Sequence, residues 1–329
     1  MSGDNLLITG ATGFVGRHLV SHLSSYGHRL TLAVRGADAC PAAWHDNPHI
    51  RIVATGPIET AVNLDEALAG VTGVIHLAGL AHVRHSPEVA DPFVPANAIA
   101  TEKLTQATAR HGIRMFIHMS SLATATANAS STVVDDTAWN AAPTAYGKSK
   151  QKAEKHVLAL ARSGVFAVSL RPPLVVGADA RGNWRALQRL AATALPLPFA
   201  GASNRRSLIG IDTLVRAVAH LSTGRWSPDK SGNYCIADAE TISLREIVST
   251  LRRGMQRPQR LFHFPPAVLQ GLARLIGRAQ MADGLLGGLQ VDAGRFRRTF
   301  DFSQHQSLSA SILESASGFR NSMLRGRDQ

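Results

Sequence analysis

"TGATGFVG", residues 9–16, is the clearest structural signal in the chain. It follows the apolar run "LLI" and opens the helical pattern "FVGRHLVSHL". Glycines in this setting permit a tight turn and let the backbone approach a pyrophosphate, which then lies at the positive end of the helix dipole. The turn therefore predicts a dinucleotide site. Its candidate cofactor contacts are Gly10, Thr12, Gly13, Phe14, Val15 and Gly16.

Strands and helices alternate outward from this turn. The apolar runs "LTLAV", "IRIVA", "GVIHLAG", "RMFIHM" and "FAVSL" are separated by helical patterns. Continuous apolar strands joined by helices are typical of sheets buried on both faces, so the sequence predicts an α/β fold with a doubly wound parallel sheet, the Rossmann arrangement. We assign residues 1–177 to this dinucleotide-binding domain. Residues 178–329, richer in Arg, Pro and Gly, form mainly a smaller, interleaved substrate lobe, and a strand near 232–238 is expected to return to the sheet.

Composition narrows the partners. Among 329 residues, 35 Lys and Arg stand against 23 Asp and Glu, giving a net charge of +12, which favours anionic ligands. No helix-turn-helix, zinc or aromatic-interleaved basic motif is evident, so nucleic acid is not an expected partner. Cys40 and Cys235 lack metal spacing and predict neither a disulfide framework nor a metal site.

Targeting signals are not evident. The first residues lack the pattern of a secretory signal peptide, so we expect a cytoplasmic protein. The apolar segment 265–277 is too short to span a membrane and carries Arg274. This leaves open that the segment lies on a surface or lines the substrate lobe.

The second strand bears on the choice of nucleotide. An NAD site usually closes this strand with an acid that binds ribose hydroxyls, whereas here "TLAVRG" ends in Arg35. Arginine suits a 2′-phosphate, so NADP(H) is favoured and NAD(H) stays possible. Arg17 on the first helix is a second candidate for the same phosphate.

"TAYGKSKQKAEKHV", residues 144–157, places Tyr146 and Lys150 four apart on a helical pattern, where they share a face. A nearby ammonium is expected to lower the phenol pKa from about 10 toward neutrality and so make a general acid and base. Ser120 and Ser121 end the strand "FIHMSS", and ligands bind at such strand ends. One of them is expected to orient a substrate oxygen.

These motifs together resemble the extended short-chain dehydrogenase/reductases of the NAD-dependent epimerase/dehydratase group. The resemblance rests on "TGATGFVG", "VIHLAG", Asn97 with Thr101, the serine pair, "YGKSK" and "RPPLVVG". Within that group, "LPLPFAG", "NRRSLIGID" and "LLGGLQVD" look most like bacterial reductases of UDP-linked 4-keto-6-deoxy-N-acetylhexosamines, which make surface-polysaccharide precursors. A cytoplasmic homodimer, with contacts through helices near Asn97 and Tyr146, is what the resemblance implies.

The resemblance also implies roles for individual residues. Ser121, Tyr146 and Lys150 would be catalytic, and Lys150 would hold the nicotinamide ribose. Further cofactor contacts would be Leu77, Ala78, Gly79 and Pro173. The substrate contacts would be His82, Ser120, Ser121, Asn183 and Arg206, with Arg206 on the nucleotide diphosphate.

Three reactions share this chemistry. A 4,6-dehydratase also needs an acid and a base beside the serine, but Leu122 and Ala123 follow Ser121. A 4-epimerase needs only a tightly held NAD. A net reductase must exchange its cofactor, and Arg35 favours NADPH. We therefore expect reduction of UDP-2-acetamido-2,6-dideoxy-4-hexulose to UDP-N-acetylquinovosamine or its C4 epimer. A UDP-sugar 4-epimerase is the alternative, and a non-catalytic dinucleotide-binding module is a third.

Overall fold

The computed structural model describes residues 4–81, 91–138, 142–275 and 279–325. Its strands are β1 (Asn5–Thr9), β2 (Arg29–Val34), β3 (Ile50–Ala54), β4 (Gly73–His76), β5 (Met115–Met119), β6 (Phe166–Arg171), β7 (Val175–Val176), β8 (Arg206–Ser207), β9 (Ile209–Gly210), β10 (Gly232–Cys235) and β11 (Thr241–Ile242). Its helices are α1 (Phe14–Ser25), α2 (Ala42–His45), α3 (Leu64–Leu68), α4 (Ala100–Arg110), α5 (Ala145–Ala161), α6 (Gly182–Ala192), α7 (Ile211–Thr223), α8 (Leu244–Gly254), α9 (Pro266–Leu275), α10 (Ala279–Leu286), α11 (Gly294–Phe300) and α12 (Leu308–Arg325).

Seven parallel strands form the central sheet in the order β3, β2, β1, β4, β5, β6, β10. The order reverses direction at β1, which pairs with β2 on one side and β4 on the other. Ligands bind at the carboxyl ends of the strands beside such a switch point. The predicted doubly wound sheet is confirmed, and its switch point lies directly below the glycine turn.

Both faces of the sheet are covered. Along β1, Leu6 and Ile8 pack into the core that includes Leu19 of α1, whereas Leu7 packs with Leu104 of α4 on the opposite side. This alternation follows from the two-residue period of a strand. Because each strand is fixed on both faces, its carboxyl end is a rigid platform for side chains.

The C-terminal lobe has its own core, built mainly from α6, α8 and α12. Trp184 is fully buried there and its Nε1 donates to Ser315 Oγ at 2.9 Å. The lobe interleaves with the sheet domain, since α7 packs against α1 and β10 pairs with β6. A boundary at residue 177 stays a prediction. No helix among the residues described is both long and apolar enough to cross a bilayer.

Candidate active site

The glycine turn leaves no room for larger residues. Gly10 has a φ of +71°, and a Cβ there would lie 2.6 Å from Ala78 N. A Cβ on Gly16 would lie 2.2 Å from Gly10 O. Gly13 precedes α1 without a side-chain cap, so the first amides of the helix meet no side-chain acceptor from their cap. These features fit the pyrophosphate of a dinucleotide, which such a helix start binds.

The remaining predicted cofactor contacts lie along the same edge of the sheet. Phe14 and Val15 begin α1, and a Cβ on Gly177 would lie 2.5 Å from the Phe14 ring, so this ring packs closely against the chain after β7. The others follow the carboxyl ends of β1, β4 and β6, and they are Thr12, Leu77, Ala78, Gly79 and Pro173.

The two arginine candidates for a 2′-phosphate differ. Arg35 is exposed immediately after β2 and forms no ion pair within the described part of the chain. Arg17 instead bonds to Asp179 at 3.3 Å, and His18 holds the other carboxylate oxygen at 3.2 Å. Arg17 stays the weaker of the two candidates, because a carboxylate already accepts from its guanidinium.

A glycine brings α5 close to the serine loop. Thr144 caps the helix by accepting from Gly147 N at 3.0 Å. A Cβ on Gly147 would lie 2.2 Å from Ala123 O, so only glycine permits this approach. Ser121 begins the same loop, and its Oγ accepts from Ala123 N at 3.2 Å. The close packing sets Tyr146 beside Ser121.

The Tyr146 phenol lies near the Ser121 hydroxyl. Burial raises the pKa of Tyr146 above its ordinary value, and the interaction with Ser121 lowers it by less. The ring also packs edge-on against Phe93, with centroids 5.9 Å apart. The prediction of a lowered pKa is wrong, because desolvation of the phenolate is the larger effect. Tyr146 is consequently held in its protonated form.

Lys150 lies on the same helix face but its ammonium bonds to the strand. Its Nζ donates to Met119 O at 2.8 Å, and only 4% of the residue is exposed. Burial lowers the pKa of Lys150 to about 8, against a smaller opposing effect of Glu154. A Cβ on Gly79 would lie 3.0 Å from this Nζ, so the ammonium lies at the loop after β4.

Asn97 fixes that loop to α5. Its Oδ1 accepts from Leu80 N at 2.8 Å, and its Nδ2 donates to Leu80 O at 3.0 Å and to Ser149 Oγ at 2.9 Å. Thr101, one turn further, donates to Asn97 O at 2.6 Å and contacts His76 Nε2 at 3.0 Å. Asn97, Thr101 and His76 are fully buried, and their hydrogen bonds hold the floor of the site in place.

Ser120 has a different role from its neighbour. It is buried, and its Oγ donates to Glu154 Oε1 at 2.6 Å. Arg171 grips the same carboxylate with its Nε and Nη2, each at 2.8 Å, and neither charged side chain is exposed. The Ser120 hydroxyl is therefore engaged in the core, and a substrate contact at Ser120 stays a prediction. Sequence reasoning missed this ion pair, whose only signal is that Glu154 continues the four-residue spacing of Tyr146 and Lys150.

Of the three remaining substrate candidates, Arg206 is the most informative. It is 8% exposed, and its guanidinium donates to Gly287 O at 2.6 Å and Asn128 O at 3.0 Å. Burial lowers its pKa, and no carboxylate pairs with it in the described ranges. Asn183 is exposed in the first turn of α6. His82 lies outside the described residues.

Comparison with known proteins agrees with this geometry. Residues 6–237 match the family described as "NAD dependent epimerase/dehydratase family". A UDP-glucose 4-epimerase of Vibrio cholerae is 30% identical over 327 residues, covering 96% of this chain and 95% of that protein. A structure of MoeE5 with UDP-glucuronic acid and NAD has a TM-score of 0.75 at 23% identity, covering 97% and 100% of the two chains. A UDP-glucuronic acid 4-epimerase from Bacillus cereus with NAD also has a TM-score of 0.75, at 19% identity, covering 98% of each chain.

The sheet, the glycine turn and the Ser121, Tyr146 and Lys150 cluster define an enzyme of the extended short-chain dehydrogenase/reductase type that uses a nicotinamide dinucleotide. The chain belongs to the NAD dependent epimerase/dehydratase family. The predicted resemblance to this family is confirmed.

Proposed function

We propose that the chain reduces the keto group of a UDP-linked 4-keto-6-deoxy-N-acetylhexosamine, giving UDP-N-acetylquinovosamine or its C4 epimer for surface-polysaccharide synthesis. The observation that carries the proposal is that Tyr146 and Ser121 lie together at the carboxyl end of β5, where the buried ammonium of Lys150 donates to Met119 O. A nicotinamide dinucleotide, with its pyrophosphate at the glycine turn, would supply the hydride chemistry when bound. The side chains of this cluster bind the substrate oxygen and donate the proton that it gains.

The protonation state of the phenol suits reduction. A carbonyl that becomes an alkoxide needs a proton donor within hydrogen-bond reach, and burial keeps Tyr146 protonated. Ser121 holds a hydroxyl at the same point and can donate to the developing oxyanion. The Lys150 ammonium lies at the carboxyl end of β5, where it donates to Met119 O. Its positive charge would stabilise the phenolate that remains after Tyr146 gives up its proton. These residues are the proposed catalytic group.

Dehydration is disfavoured at this site. A dehydratase needs an acid and a base next to the catalytic serine, and Leu122 instead packs in a small apolar cluster with Val134, Cys235 and Leu289. An apolar side chain there transfers no proton. The serine loop therefore supports hydride transfer without elimination of water.

Arg206 is the proposed contact for the nucleotide diphosphate. A buried guanidinium that donates only to carbonyl oxygens keeps its full charge for an anion, and guanidinium geometry matches phosphate oxygens. Asn183 and His82 stay proposed substrate contacts. The family relatives act on UDP-sugars by name, which supports this substrate class.

Cofactor choice separates the two candidate reactions. Arg35 is exposed after β2 and has no ion-pair partner among the described residues, which supports NADPH and hence net reduction. The Vibrio cholerae relative, an epimerase by name, supports 4-epimerisation with retained NAD as the second candidate. Both use the same Tyr146 and Lys150, so the distinction depends on whether the cofactor exchanges.

Purified protein should be mixed with NADPH and UDP-4-keto-6-deoxy-N-acetylglucosamine, while loss of nicotinamide absorbance is compared with product by chromatography. We expect one NADPH consumed per sugar reduced. Interconversion of UDP-glucose and UDP-galactose without cofactor consumption would instead establish the epimerase. Neither activity, with NADPH bound normally, would point to a non-catalytic dinucleotide-binding module.

We also propose a cytoplasmic homodimer that forms through α4 and α5. Ile99, at the start of α4, is 44% exposed and offers an apolar contact there. Sedimentation velocity of the protein and of an Ile99→Asp variant tests this assembly. A monomeric protein at all concentrations would contradict it.

A further inference from the structure

The helix α9 presents its apolar residues outward. Val268, Leu272 and Leu275 are 46%, 51% and 84% exposed, and their spacing places them on one helix face. Leu269 is on the inward side, packed against the core of the lobe. An apolar helix face normally packs on a core. Here it faces solvent, so a partner surface is needed to cover it.

Two further apolar side chains are exposed in loops of the same lobe. Phe262, just before α9, is 45% exposed, and Leu195 is 65% exposed. The loops are paired, because Leu197 N donates to Arg260 O at 2.9 Å and Phe262 N donates to Leu197 O at 3.0 Å. We call Leu195, Phe262, Val268, Leu272 and Leu275 the apolar patch.

The segment that carries most of the apolar patch is basic. Residues 247–275 contain five arginines and no Asp or Glu. Arg257 and Arg260 are exposed at the patch, and Arg257 shares a shallow cleft with Arg320 and Leu324 at the end of α12. Arg274, also exposed, lies 3.9 Å from Asp283. The patch is therefore apolar with a basic margin.

We propose that the apolar patch docks onto an anionic lipid bilayer surface. Exposed Leu, Val and Phe side chains with neighbouring arginines are what a surface-bound amphipathic helix uses, since the apolar groups enter the headgroup boundary and the cations bind anionic lipids. A second copy of the chain fits less well, because two-fold pairing of the patch opposes arginine to arginine. This contact lies on the membrane surface and involves no spanning segment, and it is independent of the proposed reaction.

Vesicle flotation of the full chain tests the proposal. We expect recovery with vesicles of phosphatidylcholine and phosphatidylglycerol, little recovery with phosphatidylcholine alone, and release by salt. The variant Val268→Ser/Leu272→Ser/Leu275→Ser should bind at least about tenfold more weakly, since each lost apolar side chain weakens insertion. Its matched control is Tyr26→Ser/Val62→Ser, which removes residues 67% and 97% exposed on the sheet domain.

The basic margin is tested separately with Arg257→Gln/Arg260→Gln against Arg162→Gln/Arg225→Gln, two exposed arginines outside residues 247–275. Only the first pair should reduce recovery with anionic vesicles. Thermal melting and NADPH fluorescence check that every variant is folded. The proposal is overturned if the wild-type protein binds neither vesicle type, or if the patch and control variants bind the anionic vesicles equally. It is also overturned if the α9 substitutions abolish self-association in solution and the protein binds no vesicles.

Discussion

Helix α5 carries Tyr146, Lys150 and Glu154 at four-residue spacing, and the two ends of this stripe of side chains have different surroundings. At the first end, Tyr146 meets a serine hydroxyl and Lys150 meets a backbone carbonyl. At the other, Glu154 is fully buried and holds both Arg171 and Ser120. One stripe of titratable residues therefore begins as a candidate active site and ends as a structural ion pair. The surroundings of each side chain in the stripe decide whether it is catalytic or structural.

The comparison teaches how adjacent serines acquire different partners. Ser121 caps the loop that approaches Gly147, so its hydroxyl is at the site edge, whereas Ser120 is one residue closer to the core. Buried charges need complete hydrogen bonding, and Ser120 supplies one bond to Glu154. The ion pair in turn anchors α5 to β6. This anchoring keeps the catalytic end of the helix at a fixed distance from the sheet.

The largest effect is expected at the catalytic end. Tyr146→Phe removes the proton donor, so we predict that kcat for the reduction falls by about 10³-fold, within the usual range for general acid catalysis. The free energy of unfolding should change by less than about 1 kcal/mol, the value of one hydrogen bond. Steady-state assays measure kcat, and urea unfolding measures the free energy of unfolding. A kcat within about tenfold of wild type would contradict the assignment of Tyr146 as the proton donor.

The structural end should show the opposite pattern. Arg171→Met leaves the Glu154 carboxylate buried without its cation, and we predict a loss of about 3 to 5 kcal/mol in unfolding free energy. The double variant Glu154→Leu/Arg171→Met should recover most of that loss, because no unpaired charge remains. Urea unfolding of wild type, the single variant and the double variant measures these free energies. Equal stability of the single and double variants would show that the unpaired Glu154 carboxylate is not the cause of the loss.

A pH profile sharpens the comparison between Lys150 and its exposed neighbours. Burial lowers the pKa of Lys150 to about 8, so its ammonium is present below that pH and is lost above it. We predict that kcat/KM for reduction falls above about pH 8, by tenfold per pH unit for one proton. Lys150→Arg, which stays charged, should remove this alkaline limb. Lys152→Met, an exposed control, should retain it.

The smallest predicted effect concerns the cofactor. Arg35→Ser should raise KM for NADPH by about tenfold, the effect of one lost charge-assisted contact, and leave KM for NADH nearly unchanged. Arg17→Gln serves as the control, since Arg17 is already paired with Asp179. Steady-state kinetics with both cofactors measure the ratio. A larger effect from Arg17 than from Arg35 would reverse the assignment.

Much of the fold could be predicted from the sequence because the motifs that define it span only a few residues each. The glycine turn between strand and helix, the apolar strands, and Tyr146 with Lys150 are all set by spacings of a few residues. The pKa of Tyr146 was predicted in the wrong direction, because burial depends on packing from distant segments. The pairing of Glu154 with Arg171 joins a helix to a strand, and Ser120 follows from it. The outward apolar face of α9 likewise depends on how the second lobe packs.

The most direct test of the central claim is the fate of the hydride. Deuterated NADPH, labelled at the transferable position of the nicotinamide, should be incubated with the 4-keto UDP-sugar, and the product analysed by mass spectrometry and NMR. We predict one deuterium at the former keto carbon, with Tyr146→Phe giving at most a trace. Unlabelled sugar inverted at C4, with NAD still bound to the protein, would contradict the account and establish an epimerase.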